Sequence, residues 1–161
     1  MGSDFLQLYF SAEKHEALLF VAIGLAAITA SWVLYRRSSP LVAMTGPLIA
    51  IAAIQIVVGG NVFLRTDAQM AELHRKRVVA PASFKVDEGR RMATVMRNFE
   101  IYRAIELTLL ATGIAVVVAL RRRRGWRAFG IGLALQSAVM LTLDMFAEAR
   151  GQLYLQAVLA L

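Results

Sequence analysis

Cysteine is absent from the sequence, which removes disulfide frames, thiol nucleophiles and thiolate metal sites together. Histidine occurs only twice, as His15 and His74, and neither stands in the Glu-x-x-His spacing by which four-helix bundles hold paired metal ions. No Gly-rich phosphate loop follows a strand pattern, and no G-x-S-x-G elbow is present. Nucleophilic catalysis therefore has no visible machinery, and no cofactor or metal is expected. Proline is limited to Pro40, Pro47 and Pro81, so the chain has few points at which a helix must stop. The opening residues lack the basic n-region of a secretory signal. The apolar run that follows ends in Tyr35-Arg36-Arg37 and not in a small-residue cleavage site, so that run is expected to be retained.

What the chain has in abundance is apolar sequence. Hydrophobic residues make up 58% of the 161, above the roughly 45–50% of globular domains, and an integral membrane protein is the natural class. Four stretches are long enough to span a bilayer as helices, at about residues 17–35, 41–64, 101–120 and 127–148. The expected fold is an all-α, four-span bundle forming one domain over residues 1–161. Ser11 reads as the N-cap of the first helix, placing its start near Ala12, with Glu13 and Glu16 favoured by the helix dipole. Residues 1–12, rich in Phe, Leu and Tyr, suit the lipid interface. Pro47 is a candidate kink, and Gly59-Gly60 marks a close approach of another backbone.

Beyond Arg65 the sequence turns polar without becoming loop-like. TDAQMAELHRKRVV extends the second helix to about Val79, Ala80-Pro81-Ala82-Ser83 makes a turn, and Asp87-Glu88 opens the third helix. Residues 65–100 thus predict an extramembrane helical hairpin standing on the order of 20 Å from the membrane. Met70, Met92 and Met96 lie on it, either as packing between its two helices or as an adaptable partner surface. The third helix runs on to Leu120, the fourth starts near Arg127, and the closing GQLYLQAVLAL extends it or lies against the bundle.

The net charge of +7 resembles a nucleic-acid footprint until its location is examined. Arg36, Arg37, Arg121, Arg122, Arg123, Arg124 and Arg127 sit in two short loops that contain no acid, while the remaining eleven basic residues are matched by eleven acids. That is the positive-inside pattern. It argues against nucleic acid and places the 1–2 and 3–4 loops in the cytoplasm, with both termini and the hairpin on the other side. A bacterial inner membrane fits this layout, although the hairpin has basic residues of its own.

Counting 1.5 Å per residue from the basic loops puts Glu106 about 22 Å and Asp144 about 25 Å across the bilayer, with Glu16 and Glu148 near 30 Å. Gln55 and Asn61 fall at about 22 and 31 Å, whereas Gln136, at about 13 Å, is the single polar exception in the inner half. Each helix therefore contributes an acid or amide to one outer-leaflet level, with Arg65, Arg103, Tyr102 and His15 near it. A lone carboxylate at the depth of Glu106 costs a few kcal/mol unless paired or protonated, which makes Glu106 and Asp144 the central site candidates, with Arg103 or Arg65 as the expected partner of one of them.

The first functional expectation is a membrane interaction protein, an accessory subunit or immunity-type protein that engages a partner through residues 65–100 or within the membrane, with a homo-oligomer as a further expected partner. The alternative is binding or translocation of a proton, cation or amine-bearing ligand at Glu106 and Asp144. An intramembrane enzyme using these acids comes third.

Overall fold

A computed structural model describes residues 4–161. Four helices account for nearly all of it: α1 (Asp4–Arg36), α2 (Thr45–Val79), α3 (Pro81–Ala119) and α4 (Arg124–Leu159), with a short 3-10 turn at Val42–Met44 before α2. Helix covers 92% of the described residues, and no strand occurs among them. Each helix is long and apolar enough to cross a membrane. The most apolar 18-residue window of α3 is only 11% buried within the protein, so its side chains are not there to build a core. An apolar surface this continuous needs an apolar solvent.

Local chemistry sets the ends. α1 closes in a Schellman motif: Ser38 takes the left-handed conformation (φ 45°), its N–H donates to Tyr35 O and the Ser39 N–H donates to Leu34 O, both at 3.1 Å. Pro40 then prevents continuation. Pro47 lies in the first turn of α2, where it has no intrahelical N–H to forfeit, so no kink is called for. Pro81 occupies the first turn of α3 for the same reason, which moves that helix start ahead of the expected Asp87.

The helices associate as two tight antiparallel pairs. In the first, a Cβ on Gly59 would lie 2.7 Å from the backbone oxygen of Ala17, so α1 and α2 touch backbone to backbone. In the second, a Cβ on Gly113 would lie 2.6 Å from Ala134 N and 2.9 Å from Gly130 O, which brings α3 equally close to α4. Small residues at such crossings are how apolar helices gain contact where lipid offers no hydrophobic drive. α4 ties the pairs together, against α1 through Arg150 and Glu16 and against α2 through Gln136 and Gln55.

Among the described residues a hydrophobic core cluster sits at the Ala80 end. Leu6, Phe10, Leu73, Phe84, Met92 and Val158 are buried there, with Tyr9 and Tyr154 stacked at 4.2 Å between ring centroids. Two expectations change as a result. α1 begins at Asp4, so described residues 4–12 are helix, not an interfacial segment, and Ser11 is an interior residue whose hydroxyl donates to Leu8 O at 3.1 Å. α4 continues to Leu159, the first of the two outcomes expected for the closing residues. The extensions of α2 and α3 are therefore flanked by those of α1 and α4, and the region of the expected two-helix hairpin is the end of a four-helix bundle. The reason is apolar burial: Leu6, Tyr9, Phe10, Tyr154 and Val158 find their partners only there, and Met92 is fully buried among them, with Met70 and Met96 packed alongside.

Candidate functional site

Below that core the four helices enclose a cavity of about 640 Å³, within the roughly 300–1,000 Å³ of small-ligand sites. α1 lines it with Glu13, Glu16 and Phe20, and α2 with Ile54, Val58, Asn61 and Arg65. α3 adds Asn98, Tyr102, Glu106 and Leu109, and α4 adds Ser137, Met140, Asp144 and Arg150. The charged groups lie from the middle of the cavity towards the Ala80 end, and the other end is apolar apart from Ser137.

Glu106 is the most exacting of these residues. Its side chain is 3% exposed, and neither carboxyl oxygen receives a hydrogen bond from any donor among the described residues. A second acid, Asp144 on α4, is half-buried and lines the same cavity. Two carboxylates facing one cavity repel each other unless a proton or cation neutralises one of them. Glu13 and Glu16 bring the acids of the lining to four, and the Glu13 Oε2 is buried and unpartnered.

Several neighbouring charges are paired, whereas Arg65 forms no ion pair among the described residues. Glu16 bonds Arg150 across α1 and α4, and Arg103 donates to Glu148 at 2.7 Å across α3 and α4. Lys14 and Asp67 pair at 2.5 Å between α1 and α2. Nearer the Ala80 turn, Glu88 is almost fully buried and fully satisfied: Arg91 grips both its oxygens, at 2.6 and 2.8 Å, and the Tyr154 hydroxyl donates at 2.8 Å. That closed network has no capacity left for a ligand.

Of the residues expected to form the site, Glu106, Asp144, Asn61, Arg65, Tyr102 and Glu16 do line the cavity. Asn61 spends its amide on Val57 O at 2.8 Å. Arg103 does not partner the central acids, because its reach takes it to Glu148, and Arg65 forms no ion pair with either of them. Gln55 is fully buried outside the cavity, accepting from Gln136 at 2.6 Å, so the amide that looked isolated at the wrong depth has its partner. His15 is exposed and bonded to the Ser11 carbonyl at 2.7 Å. Glu13 was passed over as a helix-start acid. With α1 starting at Asp4 it is mid-helix and has no such role. Glu88 was likewise read as a helix start, and only its spatial neighbours reveal a buried charge.

Chemically, the cavity offers carboxyl groups, the hydroxyls of Ser137 and Tyr102, and no thiol or histidine. Among the described residues no three of His, Asp and Glu stand close enough to hold a metal ion. No protein-family model matches the sequence, and no curated protein or solved structure matches it closely enough to indicate kinship.

Proposed function

We propose that the protein is an integral membrane four-helix bundle whose Glu106–Asp144 pair binds a cationic, amine-bearing ligand. The observation that carries this reading is the Glu106 carboxyl group, buried on the cavity wall beside a second acid and without a single donor. A structural ion pair would have placed an arginine there, yet the nearby arginines are engaged elsewhere or lie outside reach. An ammonium ion between the two acids supplies both the charge and the hydrogen-bond donors that they lack. Translocation receives less support, since the half of the bundle beyond Ser137 presents no further acid towards the basic loops. Acid–base catalysis lacks any group poised to act with the pair.

The reading is tested by calorimetric titration of butylamine into the protein in phosphatidylcholine nanodiscs. Wild type is expected to bind, and Glu106→Gln and Asp144→Asn each to weaken binding at least tenfold while the protein keeps its helicity. Equal binding by all three would overturn it.

A second reading is a partner-binding role at the Ala80 end. Val78 and Val79 are 71% and 77% exposed beside that turn, with Val86 at 52%, and Arg75, Lys76, Arg77 and Lys85 surround them. An accessory or immunity-type protein would dock through this basic-rimmed apolar tip. The methionines first considered for such a surface are instead spent on internal packing. For sidedness, the two basic loops favour the cytoplasm of a bacterial inner membrane, with the Ala80 end outside.

A further inference from the structure

We propose that the amine ligand is a single-chain, long-chain amine that reaches Glu106 and Asp144 sideways from the bilayer, through the gap between α2 and α3. This deepens the ligand-binding reading above and rests on it.

The route follows from which helices touch. α1 with α2 and α3 with α4 meet backbone to backbone at their glycines, and α4 closes the bundle against α1 and α2. α2 and α3, though joined by a single residue, make the sparsest contact of the consecutive helices. Val58 and Tyr102 lie equally far along the chain from Ala80 and would bury each other if these helices packed. Instead both line the cavity and both are exposed, at 46% and 48%, as are Ile54 and Ile105 next to them at 52% and 51%. One long side of the cavity is thus open on the apolar lengths of α2 and α3, where the surrounding medium is lipid.

The kind of ligand follows from the order of groups along the cavity. Moving away from the Ala80 end, Arg65, Asn61 and Asn98 come first, then Glu106 and Asp144, then Ile51, Leu109 and Met140, with the Ser137 hydroxyl beside them. An ammonium held by the acids therefore has its apolar chain directly attached on the deeper side. A long-chain amine has this order. A phosphoethanolamine lipid does not, because its nitrogen is outermost and its phosphate would fall beside the acids. The charge agrees: Glu16 is neutralised by Arg150, whereas Glu106 and Asp144 receive no cation from the protein.

The test uses the full chain in phosphatidylcholine nanodiscs with three probes: butylamine, dodecylamine and a lysophosphatidylethanolamine with a twelve-carbon chain. Because the protein has no cysteine, Ile54→Cys with Ile105→Cys can be bridged by a bis-maleimide across the gap and compared with the same variant unbridged. The expected result is dodecylamine binding at least tenfold tighter than butylamine and lost in Glu106→Gln. Bridging should slow or abolish dodecylamine binding at least tenfold while butylamine binding stays as in the unbridged variant. Val58→Trp, which fills the gap without a linker, should likewise slow dodecylamine binding. Butylamine binding as tightly as dodecylamine, or bridging without effect on dodecylamine, overturns the lateral route and leaves the amine site standing. Lysophosphatidylethanolamine competing as well as dodecylamine overturns the ligand class. If no amine binds, both readings fall.

Discussion

Gly59 and Gly60 are neighbours in one helix, and replacing each by alanine should have opposite effects. A Cβ on Gly59 meets the Ala17 carbonyl oxygen at 2.7 Å, Phe20 Cβ at 3.0 Å and Val21 Cγ2 at 3.1 Å. The first of these atoms is backbone, so it cannot rotate away and α1 must retreat as a whole. Overpacking of this kind costs about 1–3 kcal/mol. Removing glycine from a helix interior returns about 0.5–1 kcal/mol by limiting the unfolded chain. The net expectation for Gly59→Ala is a loss of about 0.5–2 kcal/mol, roughly a two- to thirtyfold fall in the folding equilibrium. At Gly60 a Cβ meets nothing within 4 Å, so Gly60→Ala keeps only the favourable contribution and should gain about 0.5–1 kcal/mol. Reversible unfolding in mixed dodecylmaltoside and dodecylsulfate micelles, followed by circular dichroism, reads both on one scale. Two variants that shift in the same direction, or a Gly59→Ala protein as stable as wild type, would show that α1 and α2 do not meet at this residue.

The buried Glu88 network gives a second expectation. Arg91→Met leaves a 1%-exposed carboxylate without its bidentate partner and should cost about 3–5 kcal/mol, whereas Tyr154→Phe removes one hydrogen bond to a charge and should cost about 1.5–3 kcal/mol. The same unfolding assay separates them, and a smaller effect of Arg91→Met than of Tyr154→Phe would refute the assigned roles. For sidedness, an impermeant maleimide applied to intact cells should label Ala82→Cys, at the exposed turn, while Arg123→Cys reacts only after permeabilisation. The reverse pattern would invert the orientation, and labelling of both from outside would contradict four spans.

The sequence by itself determined the class of structure, because that information is local and compositional. Four apolar runs separated by Ser-Ser-Pro, Ala-Pro and an arginine block dictate four helices and their order, and a periodic or continuous apolar run needs no distant partner to be recognised. It also singled out Glu106 and Asp144, since residue counts from the two basic loops convert directly into depth along straight helices. The Gly59-Gly60 pair was legible as a close approach, which holds at Gly59 and not at Gly60, since which glycine faces the neighbouring helix depends on helix rotation.

What only the tertiary structure decided was pairing. Arg103 goes to Glu148, Arg150 to Glu16 and Gln136 to Gln55, choices set by rotation and crossing of helices that no single helix encodes. Residues 1–12 read as an interfacial segment, and the closing residues as extending helix 4 or lying against the bundle, because their apolar partners are distant in sequence. Tyr9 and Tyr154 become core only once stacked on one another. The opening between α2 and α3 was likewise invisible, because a gap has no residue signature. It exists because close glycine contacts commit α2 to α1 and α3 to α4, which leaves the two helices nearest in sequence as the pair free to stand apart.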